Sequence, residues 1–122
     1  MLTQDQVDRF YTDGFLVIED VIDERTRQAV MAEYAALMDA LYDRWHGEGK
    51  VPAPTPGMGF WEKLEVAYKA GFDWYQPLDI SLPHADITAD TPFHFGPAVC
   101  GMVRRQRILD MVECLIGPEL TS

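Results

Sequence analysis

A long apolar stripe in the first half of the chain constrains its fold most strongly. Apolar residues recur at steps of four, three, four and four, at Val30, Tyr34, Leu37, Leu41 and Trp45. This spacing places them on one face of an α-helix. The same face is widened by Met31, Ala35, Met38 and Tyr42. The pattern predicts a long helix that begins after a cap at Asp23 and packs this face against a core.

The composition limits the classes of partner. The 122 residues fit one domain at most, and 20 acidic against 10 basic residues give a formal net charge of -10. This charge argues against binding of DNA, RNA or an anionic membrane, because phosphate groups are bound by basic surfaces. A short basic cluster at Arg104, Arg105 and Arg107 is most simply a solvated helix face.

Targeting signals and cysteines indicate the compartment. The chain shows no charged-then-apolar leader and no apolar run of about 20 residues, so we expect a cytoplasmic protein that does not cross a membrane. Cys100 and Cys114 are the two cysteines, and they lack metal-site spacing. A disulfide between them is allowed, although two cysteines do not make a secreted framework.

Local signals divide the rest of the chain into three further helices and a strand. Thr3 and Gln6 predict a capped first helix that stops at Gly14, and the β-branched run at residues 15–18 predicts a buried strand. A loop rich in proline and glycine spans residues 47–59. A third helix should end near Gly71, and a last helix should end at Gly117 before Pro118. We therefore expect an α+β fold of about four helices and one or two short strands.

Two blocks carry a resemblance to a known family. The first block is a capped helix, then DGFLVI at residues 13–18, then the long amphipathic helix that Asp23 opens; the second is the last helix at residues 107–119, from RILD to LIGPE. In this order the blocks resemble the N-terminal portion of phytanoyl-CoA dioxygenase-like proteins. The resemblance covers about half of the chain, and residues 46–91 contribute little to it.

The resemblance implies an oxygenase that requires Fe(II) and 2-oxoglutarate and folds as a double-stranded β-helix, or jelly roll. In that family 2-oxoglutarate is oxidatively decarboxylated to succinate while a C–H bond is hydroxylated. The iron is held by an HxD pair and a distant histidine of the barrel, and a basic residue binds the co-substrate carboxylate. These positions correspond to residues beyond 122. No catalytic, cofactor-binding or metal residue is therefore assigned within residues 1–122.

The resemblance predicts that residues 1–122 are the N-terminal helical part of such a dioxygenase, largely without its barrel. This part should support the barrel, be inactive alone, and self-associate through exposed apolar helix faces. The alternative is a complete, small, acidic, helical protein-interaction module without catalysis. The coding sequence after residue 122 separates the two hypotheses.

One local sequence resembles a metal-binding motif. His84 and Asp86 form an HxD, and His94 could face them across a turn, which would supply the 2-His-1-carboxylate set that Fe(II) oxygenases use. In the resembled family, however, the HxD follows the Ile-Gly-Pro helix, whereas this one precedes it. Pro83 and Pro92 also favour an irregular loop over paired strands. We therefore expect no metal site here.

The remaining polar and aromatic groups are ambiguous. Carboxylate pairs such as Glu62 with Glu65, or Asp86 with Asp90, are expected in an acidic chain and indicate solvated surface. Four aromatic residues could line an apolar pocket, but packing is the simpler interpretation. These residues are Trp61, Tyr68, Trp74 and Tyr75.

Overall fold

The computed structural model describes residues 1–119, and within this range the chain is mainly helical. Its α-helices are α1 (Gln4–Asp13), α2 (Glu24–Gly47), α3 (Phe60–Ala70), α4 (Pro97–Val103) and α5 (Gln106–Ile116), with a 3-10 turn at Gln76–Leu78. The helical part of the predicted fold class is confirmed. Helix α4 and the 3-10 turn are additional to the four helices predicted from the sequence.

The helix ends follow the local signals. The Thr3 side chain accepts a hydrogen bond from the Gln6 backbone N–H, and the Gln6 side chain accepts one from the Thr3 N–H at 2.9 Å. Gly14 ends α1 with φ at 80°, a left-handed conformation that glycine adopts without steric cost. Asp23 caps α2 by accepting from the Thr26 N–H at 2.8 Å. These capping predictions are confirmed.

The core is organised around α2. Met38, Tyr42 and Trp45 are fully buried on the face that the sequence stripe marks, and the Trp45 ring meets the edge of Phe72 at 5.1 Å between centroids. Helix α3, helix α4 and the 3-10 turn all pack against α2. Burial of large aromatic and aliphatic side chains is the main source of stability for such a cluster.

The predicted strand at residues 15–18 is wrong for the described residues. The segment is irregular, and none of its backbone groups bonds to another part of residues 1–119. Phe15 and Val17 are 65% and 76% exposed, so the segment is not buried either. A β-strand forms only when its backbone groups hydrogen-bond to a neighbouring strand. The sequence of residues 15–18 has strand-forming composition but does not provide that neighbour.

Helices α1 and α5 form a second, thinner contact. They pack together, and the Tyr11 hydroxyl donates a hydrogen bond to the Leu115 carbonyl. No residue of α1 is buried, and Met111 is the buried residue of α5. This pair has little core of its own and leaves Tyr11 and Ile116 largely exposed.

Candidate functional site

The three candidate metal ligands lie in the segment that joins the 3-10 turn to α4. His84 and Asp86 are exposed, and Asp86 has a positive φ of 60°. His94 is half-buried and contacts Glu33 of α2 instead. Within residues 1–119 no three His, Cys, Asp or Glu side chains are grouped so that they could hold a metal ion. The structure therefore does not bring His84, Asp86 and His94 together as a ligand set.

The carboxylate of Glu33 contacts three residues that are distant from it in the chain. Its Oε2 accepts from the Ala98 N–H at 2.6 Å, and its Oε1 accepts from the Val99 N–H at 3.3 Å. The Oε1 atom also lies 3.1 Å from His94 Nε2. Ala98 and Val99 belong to the first turn of α4, where backbone N–H groups have no partner within the helix. Glu33 therefore caps α4 from a different helix.

The surroundings of Glu33 favour its ionised form. Burial alone would raise the pKa of this carboxyl group. Hydrogen bonds from the Ala98 N–H, the His94 ring and the Val99 N–H oppose that effect, together with the charge of His94. The net result is a pKa below the ordinary value. An ionised carboxylate accepts hydrogen bonds and donates none, so His94 Nε2 carries the proton in this contact.

The chain approaches Glu33 at Gly96, where an added Cβ atom would fit only if the Glu33 and His94 side chains shifted. A Cβ atom at Gly96 would lie 2.5 Å from Glu33 Cδ and 2.7 Å from His94 Nε2. These distances are shorter than any van der Waals contact allows. Gly96 thus lets the backbone pass close to the partly buried carboxylate before α4 begins.

Tyr34 completes the immediate surroundings. Its ring meets the His94 ring edge-on at 5.3 Å, and its hydroxyl donates to the Leu78 carbonyl at 3.1 Å. Burial raises the pKa of Tyr34, and the charges of Glu33 and Asp79 add to that effect. The cluster therefore joins α2, the 3-10 turn and α4 through paired polar groups. Its connections are those of a structural clamp.

The aromatic residues singled out in the sequence separate into two groups. Trp61 lies with Phe60 on the rim of an apolar groove of about 350 Å³ between α2 and α3. The groove is completed by Val30, Met31, Tyr34 and Ala35. Tyr68 and Tyr75 are exposed, whereas Trp74 is half-buried against the core. The packing interpretation therefore holds for Trp74, and Trp61 lines an open groove.

The charged residues singled out in the sequence pair within helices or at helix starts. Glu62 accepts from the Gly59 N–H at 2.6 Å, and Glu65 pairs with Lys69 at 2.5 Å. Arg105 is not simply solvated, because its guanidinium pairs with Asp23 and bonds to Thr26 at the start of α2. Cys100 and Cys114 are free thiols, and Cys114 is exposed. Glu62 and Arg105 thus secure the starts of α3 and α2, respectively.

Sequence reasoning missed Glu33. One signal was available: Glu33 lies three residues after Val30 and four before Leu37, at the edge of the apolar stripe of α2. A carboxylate at such a position needs a buried partner. Nothing in the local sequence identifies that partner as the start of α4.

Comparisons with known proteins do not assign a family. No family model, curated protein or solved structure matches this chain. Among residues 1–119, no helix combines the length and apolar character needed to cross a bilayer.

Proposed function

We propose that residues 1–122 are the N-terminal helical part of an Fe(II)- and 2-oxoglutarate-dependent oxygenase resembling the phytanoyl-CoA dioxygenase family. In this proposal the helices support a catalytic barrel formed by further residues. The supporting observation is the apolar segment at residues 15–18, which follows α1 and leaves Phe15 and Val17 exposed.

The exposed segment is suited to pairing with a sheet. Phe15 and Val17 are largely exposed, and β-branched and aromatic residues of this kind are enriched in strands. Its backbone groups form no hydrogen bonds within the described residues. The edge of a β-sheet would supply those hydrogen bonds and cover the apolar side chains. A jelly roll is built from β-sheets, and one of them could pair with residues 15–18. The exposed segment therefore supports the proposal.

The α1–α5 pair also exposes apolar side chains. Tyr11 and Ile116 are both largely exposed, although each belongs to a helix with an apolar face. Helices with unburied apolar faces normally pack against another layer of structure. Two parts of the family resemblance, residues 13–18 and 107–119, lie in or next to this pair.

In this proposal, the residues that carry out the oxygenase chemistry belong to the barrel and not to residues 1–122. His84, Asp86 and His94 do not fit an iron site, because they are not grouped and His94 is engaged by Glu33. We therefore derive no catalytic step from the residues of this segment. Their role is to present packing surfaces in a fixed arrangement.

The test is the product of the complete coding sequence. We expect it to continue into a strand-rich region with an HxD and a later histidine and arginine, and the whole product to consume 2-oxoglutarate when Fe(II) is added. Residues 1–122 alone should not do so. Turnover by the isolated segment would contradict the proposal, as would a coding sequence that ends without such a region.

A second candidate is a small acidic interaction module. The apolar groove between α2 and α3 favours it, because Met31 and Trp61 present open apolar surface beside a core that α2 builds with its own neighbours. In that case residues 1–122 would be monomeric and stable alone. Cooperative unfolding at a midpoint that does not depend on concentration would favour this module.

A further inference from the structure

The segment between the 3-10 turn and α4 forms an ordered loop with a closed neck. We define the 79–95 loop by its residue range. The His94 N–H donates to the Asp79 carbonyl at 2.6 Å, which joins the two ends of the loop. The Gln76 side-chain amide donates to the Ser81 carbonyl at 2.8 Å and to the Pro92 carbonyl at 3.1 Å. Compact loops with closed ends are frequently functional.

The loop is held at its far end as well as at its neck. The Thr91 N–H donates to the Thr88 carbonyl at 3.2 Å, and the Thr88 N–H donates to Thr91 Oγ1 at 2.8 Å. At the neck, His94 is anchored to Glu33. A surface on this loop is therefore preorganised, and a partner that binds it has less conformational entropy to remove.

The loop presents apolar side chains to solvent. Five large apolar residues on it are between 45% and 53% exposed. Two of these, Ile80 and Phe93, neighbour the residues that are joined across the neck. The complete set is Ile80, Leu82, Ile87, Phe93 and Phe95. Apolar groups concentrated on one ordered loop indicate an interaction surface.

The charge of this region identifies the kind of partner. Residues 70–103 contain four aspartates and no lysine, arginine or glutamate. Among the described residues, none of those aspartates forms an ion pair. The four are Asp73, Asp79, Asp86 and Asp90. Complementary potentials steer association and select partners, so this field attracts positive charge and repels anions.

We propose that the 79–95 loop is a docking surface for a basic polypeptide segment that carries apolar side chains. The apolar residues would supply contact area, and the aspartates would select lysine and arginine. A second copy of this chain fits poorly because its net charge is -10. Its short arginine cluster also already uses Arg105 to bind Asp23. An anionic membrane is repelled by the same aspartates. This proposal does not depend on the oxygenase assignment.

The test uses the 122-residue chain and fluorescently labelled peptides of defined composition. The probe alternates lysine and leucine; one control peptide replaces lysine with glutamate, and another replaces leucine with serine. Binding is measured by fluorescence anisotropy at low and high salt. We expect the lysine–leucine peptide to bind more tightly than both controls and to weaken as salt increases.

Two pairs of variants locate the surface. Asp86→Asn with Asp90→Asn should weaken binding by about threefold to tenfold, whereas Asp5→Asn with Asp13→Asn removes the same charge from α1 and should change it by less than about twofold. Phe93→Ser should weaken binding on the order of tenfold. Asparagine tolerates the positive φ at position 86, and circular dichroism confirms that each variant is folded.

Several results would overturn the proposal. Equal losses in the two double asparagine variants would show that only net charge matters. Equal binding of the glutamate–leucine peptide would show that the aspartates do not select the partner. No binding at a peptide concentration of about 1 mM would show that the loop is not a docking surface for such a peptide. Binding of phosphatidylserine vesicles in preference to the peptide would indicate a membrane. Self-association that Phe93→Ser abolishes would indicate a second copy.

Discussion

Glu33 Oε1 and His94 Nε2 lie 3.1 Å apart although 61 residues separate them in the chain. Since Glu33 also caps the first turn of α4, one carboxylate secures both the end of the 79–95 loop and the helix that follows it. This contact attaches the last third of the chain to α2. The stability of the helical assembly should therefore depend strongly on residue 33.

Glu33→Ala should lower the free energy of unfolding by about 2 to 3 kcal/mol, because it leaves two backbone N–H groups and an imidazole without their acceptor. Glu33→Gln keeps an acceptor oxygen and should cost less. Urea unfolding monitored by circular dichroism measures both. Asp43→Asn is the control, because it removes an exposed charge from the same helix and should change stability by less than about 0.5 kcal/mol. A loss of the same size at both positions would contradict the assigned role of Glu33.

The pKa of Glu33 gives a pH dependence of known sign. Its folded pKa lies below the ordinary value of 4.5, so the folded state binds this proton less readily than the unfolded state. The stabilisation that ionised Glu33 contributes is therefore fully present above pH 4.5. It is lost as the pH falls through the lower pKa of the folded state. Below about pH 5, the difference in unfolding free energy between the unmodified chain and Glu33→Gln should shrink on further acidification. A difference that grows with acid would contradict this prediction.

Gly96→Ala and Gly101→Ala should have opposite effects. A methyl group at position 96 would overlap Glu33 and His94, and relieving that overlap should cost about 1 to 3 kcal/mol. Gly101 lies within α4 with nothing within 4 Å of an added Cβ, so alanine should stabilise the helix by up to about 1 kcal/mol. Thermal unfolding of the two variants under one condition provides the comparison. Destabilisation at position 101 would show that α4 is not helical there.

The helix ends were predictable because their determinants are local. Thr3 and Gln6, or Asp23 and Thr26, are three residues apart, so the sequence contains both partners of each cap. The long apolar stripe of α2 likewise depends only on helical periodicity. These features could be predicted from the printed sequence without knowledge of the tertiary arrangement.

The remaining features depend on residues that are distant in the chain. Glu33 finds Ala98 across 65 residues, and no local pattern marks that partner. Helix α4 was missed because its seven residues begin with Pro97 and include Gly101, a composition that resembles a loop. The run at residues 15–18 has strand composition, but a strand also requires a pairing partner. The sequence of residues 15–18 does not show whether such a partner is present.

Lys63 is a further residue whose environment the sequence does not reveal. Lys63 is only 8% exposed. Its ammonium group pairs with Asp39 at 2.5 Å, and the same group lies 5.8 Å from the centroid of the Tyr42 ring. Lys63→Met keeps the packing of the stem and should cost less than about 1 kcal/mol. Lys63→Glu should cost about 3 kcal/mol or more, because it places a second carboxylate beside Asp39.

The exposed Lys69 provides the matched control for Lys63. Lys69 pairs with Glu65 on the same helix, but its side chain is 70% exposed. Lys69→Met should therefore change the unfolding free energy by less than about 0.5 kcal/mol. Chemical unfolding of the three variants is the measurement. If Lys63→Glu were as mild as Lys69→Met, the buried position of Lys63 would be wrong.

Self-association of residues 1–122 is expected from the exposed segment at residues 15–18. Val17 is 76% exposed in a run of strand-forming residues, and an unpaired run of this kind promotes pairing between chains. Val17→Lys should suppress the association, because a lysine on such a segment opposes strand pairing between copies. Sedimentation velocity over a range of concentrations is the measurement.

Ala36→Lys distinguishes this mechanism from a general effect of charge. Position 36 is exposed on α2, so the substitution reduces the net negative charge by the same amount without touching residues 15–18. If association arises from that segment, Val17→Lys should shift the chain toward monomer and Ala36→Lys should not. An unmodified chain that is monomeric at all concentrations would show that residues 15–18 need no covering layer. That result would also remove the main structural support for a missing barrel.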